Sequence, residues 1–96
     1  MITLDTRIEA APGVIGRIVD QEAVLVLTNQ AQIKVTNQTG AFIWSKVDGR
    51  LTVRQIAARL SQEFEVSTVQ AEQDTLEFIQ NLIDRGVLVV VTGTIA

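Results

Sequence analysis

The side chains of this chain that could do chemistry are carboxylates, cations and hydroxyls, and their pattern is the wrong one for catalysis. There are eleven Asp and Glu, eight Lys and Arg, no histidine and no cysteine. Without histidine the commonest general base and metal ligand is missing. Without cysteine there is no thiol nucleophile, thiolate metal site or disulfide. The serines are Ser45, Ser61 and Ser67, and none has a histidine to activate it. Glu63 and Glu65 flank Phe64, and Glu72, Asp74 and Glu77 follow; at helical spacing they read as a solvated face. There is no GxGxxG and no Walker loop. The expectation is a protein with no catalytic residues, no metal and no cofactor, whose function lies in what it binds.

The elements that must position a binding surface can be read from local signals. Residues 1–13 end in the turn pair Pro12-Gly13 and suit a short strand or an arm. Val14 to Val19 reads as a strand with Gly16 as a candidate bulge. Asp20-Gln21-Glu22 is a polar connection. Ala23 to Leu27 does not alternate, so both faces are expected to be covered, as in a central strand. After a turn at Thr28-Asn29-Gln30, Ala31 to Thr36 alternates cleanly between apolar and polar residues, as a half-exposed strand does. Lys34 on its polar face is the kind of residue an open sheet edge carries.

Helices follow. Asn37 is an N-cap for the first, which runs through Phe42, Ile43, Trp44 and Val47 and ends at Asp48-Gly49. Trp44, the single tryptophan, is expected in the core. Thr52 with Gln55 makes a capping box for the second helix, and Ser67 with Gln70 repeats it for the third. Val53, Ile56, Ala57, Leu60 and Phe64 form one stripe; Val69, Leu76, Ile79 and Ile83 form another, widened by Phe78 and Leu82. Gly86 after Arg85 predicts a Schellman ending, with Val87 packing on Leu82. The run Val87 to Val91 is too apolar to lie in water; it must pack on its own domain or on a second copy.

Ninety-six residues suit one domain, 1–96, and not two. The composition, 47% hydrophobic and 20% charged, is globular. No apolar run reaches the roughly 18 residues of a membrane span, and the N-terminus lacks the basic start of a signal peptide, so a cytoplasmic protein with no membrane partner is expected. A net charge of −3 leaves no basic face to neutralise phosphates, so no nucleic-acid partner is expected.

Taken in order, Val24-Leu25-Val26-Leu27, Val35-Thr36-Asn37, Gly40-Ala41-Phe42-Ile43-Trp44, Val47-Asp48-Gly49, Thr52-Val53-Arg54-Gln55-Ile56, Phe64-Glu65-Val66, Asp74, Phe78-Ile79, Leu82 and Arg85-Gly86-Val87-Leu88 resemble the PqqD-like peptide chaperones, the RiPP recognition elements. The resemblance implies an α+β, winged-helix-like fold: a three-stranded antiparallel sheet, then three helices, with room for a short C-terminal strand. It implies a protein that binds the leader segment of a ribosomally made precursor peptide and presents it to a modifying enzyme in natural-product or PQQ-like biosynthesis. Such an enzyme is a radical SAM protein, a cyclodehydratase or a leader peptidase. The leader adds as a strand beside the third strand, against the third helix. On this chain those positions are Gln32, Ile33, Lys34, Val35 and Thr36 on the strand, and Ala71, Asp74, Thr75 and Phe78 on the helix. Many members carry aromatic residues where this chain has Ile33 and Lys34.

The residues read alone agree with a peptide-binding module, since an alternating edge strand beside an amphipathic helix is what strand addition requires. The competing reading is a winged-helix DNA-binding transcription regulator, with the third helix in a major groove. That helix carries Glu72, Asp74, Glu77 and Asp84 against Arg85 alone, a charge balance that phosphates repel. A homodimer built on the valine-rich tail or an open strand edge is compatible with the peptide-binding reading.

Overall fold

The computed structural model describes residues 2–26 and 37–91, and the backbone of residues 32–35. The chain order is β1 (Arg7–Ala10), β2 (Ile15–Val19), β3 (Glu22–Val26), β4 (Gln32–Val35), α1 (Gln38–Trp44), β5 (Asp48–Thr52), α2 (Val53–Phe64), α3 (Thr68–Asp84) and β6 (Leu88–Val90). The α+β expectation holds. An antiparallel sheet in the order β2-β3-β4 precedes the helices, and a short strand closes the chain. The expected turn at residues 28–30 lies outside the described residues, as do Ala31 and Thr36.

The β2–β3 hairpin turns on Asp20 and Gln21, whose φ values of 51° and 67° are those of a two-residue type I′ turn, the type that matches strand twist. Its register runs without interruption from Ile15↔Val26 to Val19↔Glu22, so Gly16 is not a bulge. β3 is central, as expected, but only one of its faces is covered: Ala23 and Leu25 are buried, while Val24 is half-buried and Val26 exposed.

A second sheet, in the order β5-β1-β6, joins the short N-terminal strand and the short C-terminal strand, which the sequence suggested only singly, with a strand it did not suggest. The arm at residues 7–10 is its middle strand. β5 occupies Asp48–Thr52, where the sequence suggested only a helix stop and a helix start. α1 ends at Trp44, so Val47 falls in the turn beyond it. The valine-rich run finds part of its cover within the chain: β6 pairs antiparallel with β1 through Ile8↔Val90, Glu9↔Val89 and Ala10↔Leu88, with Val87 and Leu88 buried and Val90 exposed.

The helix ends show how local chemistry sets the boundaries. Asn37 Oδ1 accepts the Gly40 amide at 2.7 Å and caps α1. Thr52 Oγ1 accepts the Gln55 amide while Gln55 Oε1 accepts the Thr52 amide, a complete capping box. The next orphan donors of α2 are taken up from a distance: the Val53 amide donates to the Thr6 carbonyl at 2.9 Å and the Arg54 amide to the Leu4 carbonyl at 2.8 Å. At α3 only half of the expected box forms. Ser67 Oγ accepts the Gln70 amide, but the Gln70 side chain donates to Asp74 instead. The C-terminus of α3 is a Schellman ending, with Gly86 N–H to Ile83 O and Val87 N–H to Leu82 O, both 2.9 Å, and Gly86 at φ 77°.

The core joins these layers. Ile8 from β1, Leu25 from β3, Ile43 from α1, Ile56 and Leu60 from α2, Ile79 from α3 and Leu88 from β6 are all fully buried in one apolar cluster.

Candidate functional site

In an antiparallel strand the N–H and C=O of one residue point to the same side, and those of the next residue to the other. The type I′ turn makes Val19↔Glu22 a pair that exchanges hydrogen bonds. Glu22, Val24 and Val26 therefore spend their backbone groups on β2, and Ala23 and Leu25 spend theirs on β4. The register couples Ala23 to Val35 and Leu25 to Ile33, so Val35 and Ile33 are bonded to β3. Gln32 and Lys34 are left with their N–H and C=O directed away from the sheet. Among the described residues β4 has no further neighbour in the strand order, so these four groups form an open edge.

The two faces of this edge differ. Ile33 and Val35 hold the register positions opposite the two buried residues of β3, while Gln32 and Lys34 pair with Val26 and Val24. A strand laid beside β4 would alternate in the same way, with every second residue on the face that carries the core.

The helix positions proved unequal. Asp74 is exposed and accepts from the Gln70 amide nitrogen Nε2 at 2.8 Å. Phe78 is half-buried and packs against the core cluster. Ala71 and Thr75 are both 0% exposed. They lie within the packed interior of the chain, and Thr75 Oγ1 has no hydrogen-bond partner among the described residues. A buried hydroxyl of this kind costs about 1–3 kcal/mol. The stripe rule could not have distinguished these four positions, because a small residue and a threonine fit a helix flank as well as its buried face.

Charge on α3 is one-sided. Asp74, Glu77 and Asp84 are exposed and Glu72 half-exposed, with no basic residue in the helix before its cap, Arg85. Among the described residues, no group of three or more His, Cys, Asp or Glu side chains is placed to hold a metal ion. Among them, too, no helix is long and apolar enough to cross a membrane.

The sequence model of the family described as "Coenzyme PQQ synthesis protein D (PqqD)" matches residues 22–88. A comparison with curated protein sequences gave no match. Among solved structures, the chain is similar to the PqqD truncation of Methylobacterium extorquens PqqCD, described as a functional and stand-alone RiPP recognition element. The identity is 25% and the TM-score 0.76, covering 93% of this chain and 95% of that one. It is similar in fold to TbiB1, solved in complex with the TbiA(beta) leader peptide, at 21% identity and TM-score 0.75, covering 92% of this chain and 99% of that one. It is also similar in fold to a part of the heterocyclase TruD, at 21% identity and TM-score 0.68, covering 95% of this chain and 12% of that one.

Proposed function

The chain belongs to the PqqD family, and on that premise we propose that it binds the leader segment of a ribosomally synthesised precursor peptide and presents it to a modifying enzyme. The observation that carries the proposal is the open edge of β4, with the backbone groups of Gln32 and Lys34 unspent by the sheet. The leader adds there as a strand antiparallel to residues 32–36. Its alternate side chains come to the core-bearing face, toward Asp74 and Phe78, with Ala71 and Thr75 behind them. The whole chain, 1–96, is one such unit, and its role is binding rather than catalysis. TbiB1, which shares the fold, was solved with a leader peptide, and this supports the reading. In TruD the same fold makes up 12% of a heterocyclase, which supports a modifying enzyme as partner. A radical SAM protein, a cyclodehydratase and a leader peptidase are the candidate types.

Energetics decide where specificity resides. The four ladder bonds that Gln32 and Lys34 can make, at roughly 1 kcal/mol net each, are offset by the cost of association. Micromolar affinity needs about −8 kcal/mol. Two or three buried apolar leader side chains, at roughly 1.5–3 kcal/mol each, make up the difference. Pockets beside β4 therefore select the leader, and the backbone holds it. Duplex DNA finds no comparable support on α3, whose exposed charges are acidic.

The test is an NMR titration with the leader encoded beside the gene, repeated on two proline variants. Wild-type shifts should map to β4 and α3. Lys34→Pro removes a donor that faces the open edge, a place where proline is tolerated; it should keep the fold and lose the peptide. Val35→Pro removes a donor bonded to β3 and should damage the fold itself. Shifts confined to α2, or no shifts at millimolar peptide, would defeat the reading.

A further inference from the structure

We propose that β2, the opposite edge of the same sheet, is a second strand-docking edge. Its occupant is an extended segment of the partner enzyme, with an acidic residue opposite Arg17 and a large apolar residue opposite Ile18. The inference rests on the reading above for the existence of that enzyme, and it uses different residues.

All five residues of β2 are exposed, with Ile15 at 67%, Ile18 at 52% and Val19 at 51%. Edges this apolar are normally blunted by a bulge, a proline or a covering element. β2 has an unbroken register and, among the described residues, no strand on its outer side. The same alternation that frees Gln32 and Lys34 applies here. Ile15, Arg17 and Val19 bond to β3, and Gly16 and Ile18 direct their N–H and C=O outward.

The inner face beside this edge is hollow. A groove of about 270 Å³ is lined in part by Ile18, by Ala41 and Phe42 of α1 with its cap residue Ser45, and by Glu63 and Phe64 of α2. Phe42 and Phe64 meet edge-to-face at 5.7 Å and 88°, and Lys46 Nζ stands 5.1 Å from the Phe42 ring centre. The volume is below the roughly 300–1,000 Å³ of small-molecule sites, and suits a side chain. A residue docked opposite Ile18 sends its side chain to this face and into the groove. The residue docked opposite Arg17 points to the other face, where its side chain lies beside the guanidinium.

A second copy fits this edge poorly. Pairing two β2 strands about a two-fold axis matches Gly16 with Ile18 and sets each Arg17 directly against its equivalent, and like charges so placed are destabilising. Sliding by two residues one way brings Asp20 into the ladder, in a left-handed turn at φ 51°. Sliding the other way brings in Val14, whose N–H is already bonded to the Ala11 carbonyl at 3.1 Å. A foreign strand with a carboxylate opposite Arg17 meets neither obstacle.

The experiment is a display selection with random nine-residue peptides against the full chain and three variants: Arg17→Glu, Ile18→Arg and Lys34→Pro. Each variant is first checked for an intact fold by NMR. The expected result is a class of peptides that Lys34→Pro leaves unaffected and Ile18→Arg weakens about tenfold or more. Its members should carry Asp or Glu flanked by large apolar residues, and Arg17→Glu should replace that acid with Lys or Arg among the selected sequences. Peptides that all depend on Lys34→Pro and never on Ile18→Arg would overturn this proposal and leave the leader reading standing. Peptides that depend on Ile18→Arg alone would sustain it and count against the leader reading. Enrichment at neither edge would overturn both. A dimer seen by sedimentation and dissolved by Ile18→Arg would assign the edge to a second copy and overturn the proposal as well.

Discussion

Gly16 on β2 lies directly beneath the indole of Trp44 on α1: a Cβ on this glycine would stand 2.6 Å from Trp44 Cζ2. The absence of a side chain is what lets the half-buried tryptophan close over the strand. Gly16→Val must push the indole away, and overpacking of this kind costs about 1–3 kcal/mol. Tryptophan fluorescence should shift to the red as the ring gains solvent, and the denaturant midpoint should fall. An unchanged spectrum together with an unchanged midpoint would show that the two residues do not touch.

Thr75 is buried among apolar side chains with its hydroxyl unpartnered. Thr75→Val keeps the shape and removes the polar atom, so stability should hold or rise by about 1 kcal/mol. Thr75→Arg, which would block a groove harmlessly if this residue were on the surface, should instead unfold the chain, because the charge has no route to water. Urea titrations of both variants decide the matter. A marked loss of stability in Thr75→Val would mean that the hydroxyl has a partner, such as the carbonyl one turn back.

The two N-caps should not be equivalent. Thr52→Ala loses one half of a closed box and exposes the other, whereas Ser67→Ala loses a single bond because Gln70 is already engaged by Asp74. Both should fall within about 0.5–2 kcal/mol, with Thr52→Ala the larger. Glu63→Gln or Glu72→Gln should change stability by no more than about 0.5 kcal/mol. Denaturant midpoints in the reverse order would contradict the observed caps.

Asp48 gives the fold an acid-sensitive element. Its Oδ1 accepts the Arg50 amide at 2.8 Å and the Leu51 amide at 3.1 Å. These bonds, Arg50's first, hold the carboxyl below its ordinary value of 3.8. A lowered folded-state value means that the ionised form is favoured by folding. The contribution is complete above about pH 4 and is lost as the pH falls through the folded value. The stability gap between wild type and Asp48→Ala should therefore be constant from pH 7 to about pH 5 and narrow below pH 4. A gap that stays constant to pH 2 would show that the carboxylate's charge plays no part.

Much of this protein is written in short-range signals. Asn37, Thr52, Ser67 and Gly86 each act within a few residues, so the three starts and the last stop of the helices were legible in the sequence. The stripes Val53-Ile56-Ala57-Leu60 and Leu76-Ile79 were legible for the same reason, since helical spacing is local. The second sheet was not. β1, β5 and β6 are three to five residues long and are stabilised by distant partners, such as Arg7↔Thr52 and Ala10↔Leu88. Segments so short carry no reliable period of their own.

The candidate site divides along the same line. The alternation from Gln32 to Val35 marked an edge strand. Which of its amides were free, Lys34's rather than Val35's, depended on a type I′ turn at Asp20-Gln21 and on the register it passes through β3. Likewise Ala71, Asp74, Thr75 and Phe78 are neighbours on a helical wheel in any sequence. Only the packing of α3 into the core put Ala71 and Thr75 inside and left Asp74 in water. Local propensity sets where an element begins and ends. Which of its faces and backbone groups remain available is decided by the elements that come to lie against it, because burial and strand pairing are properties of two surfaces and not of one.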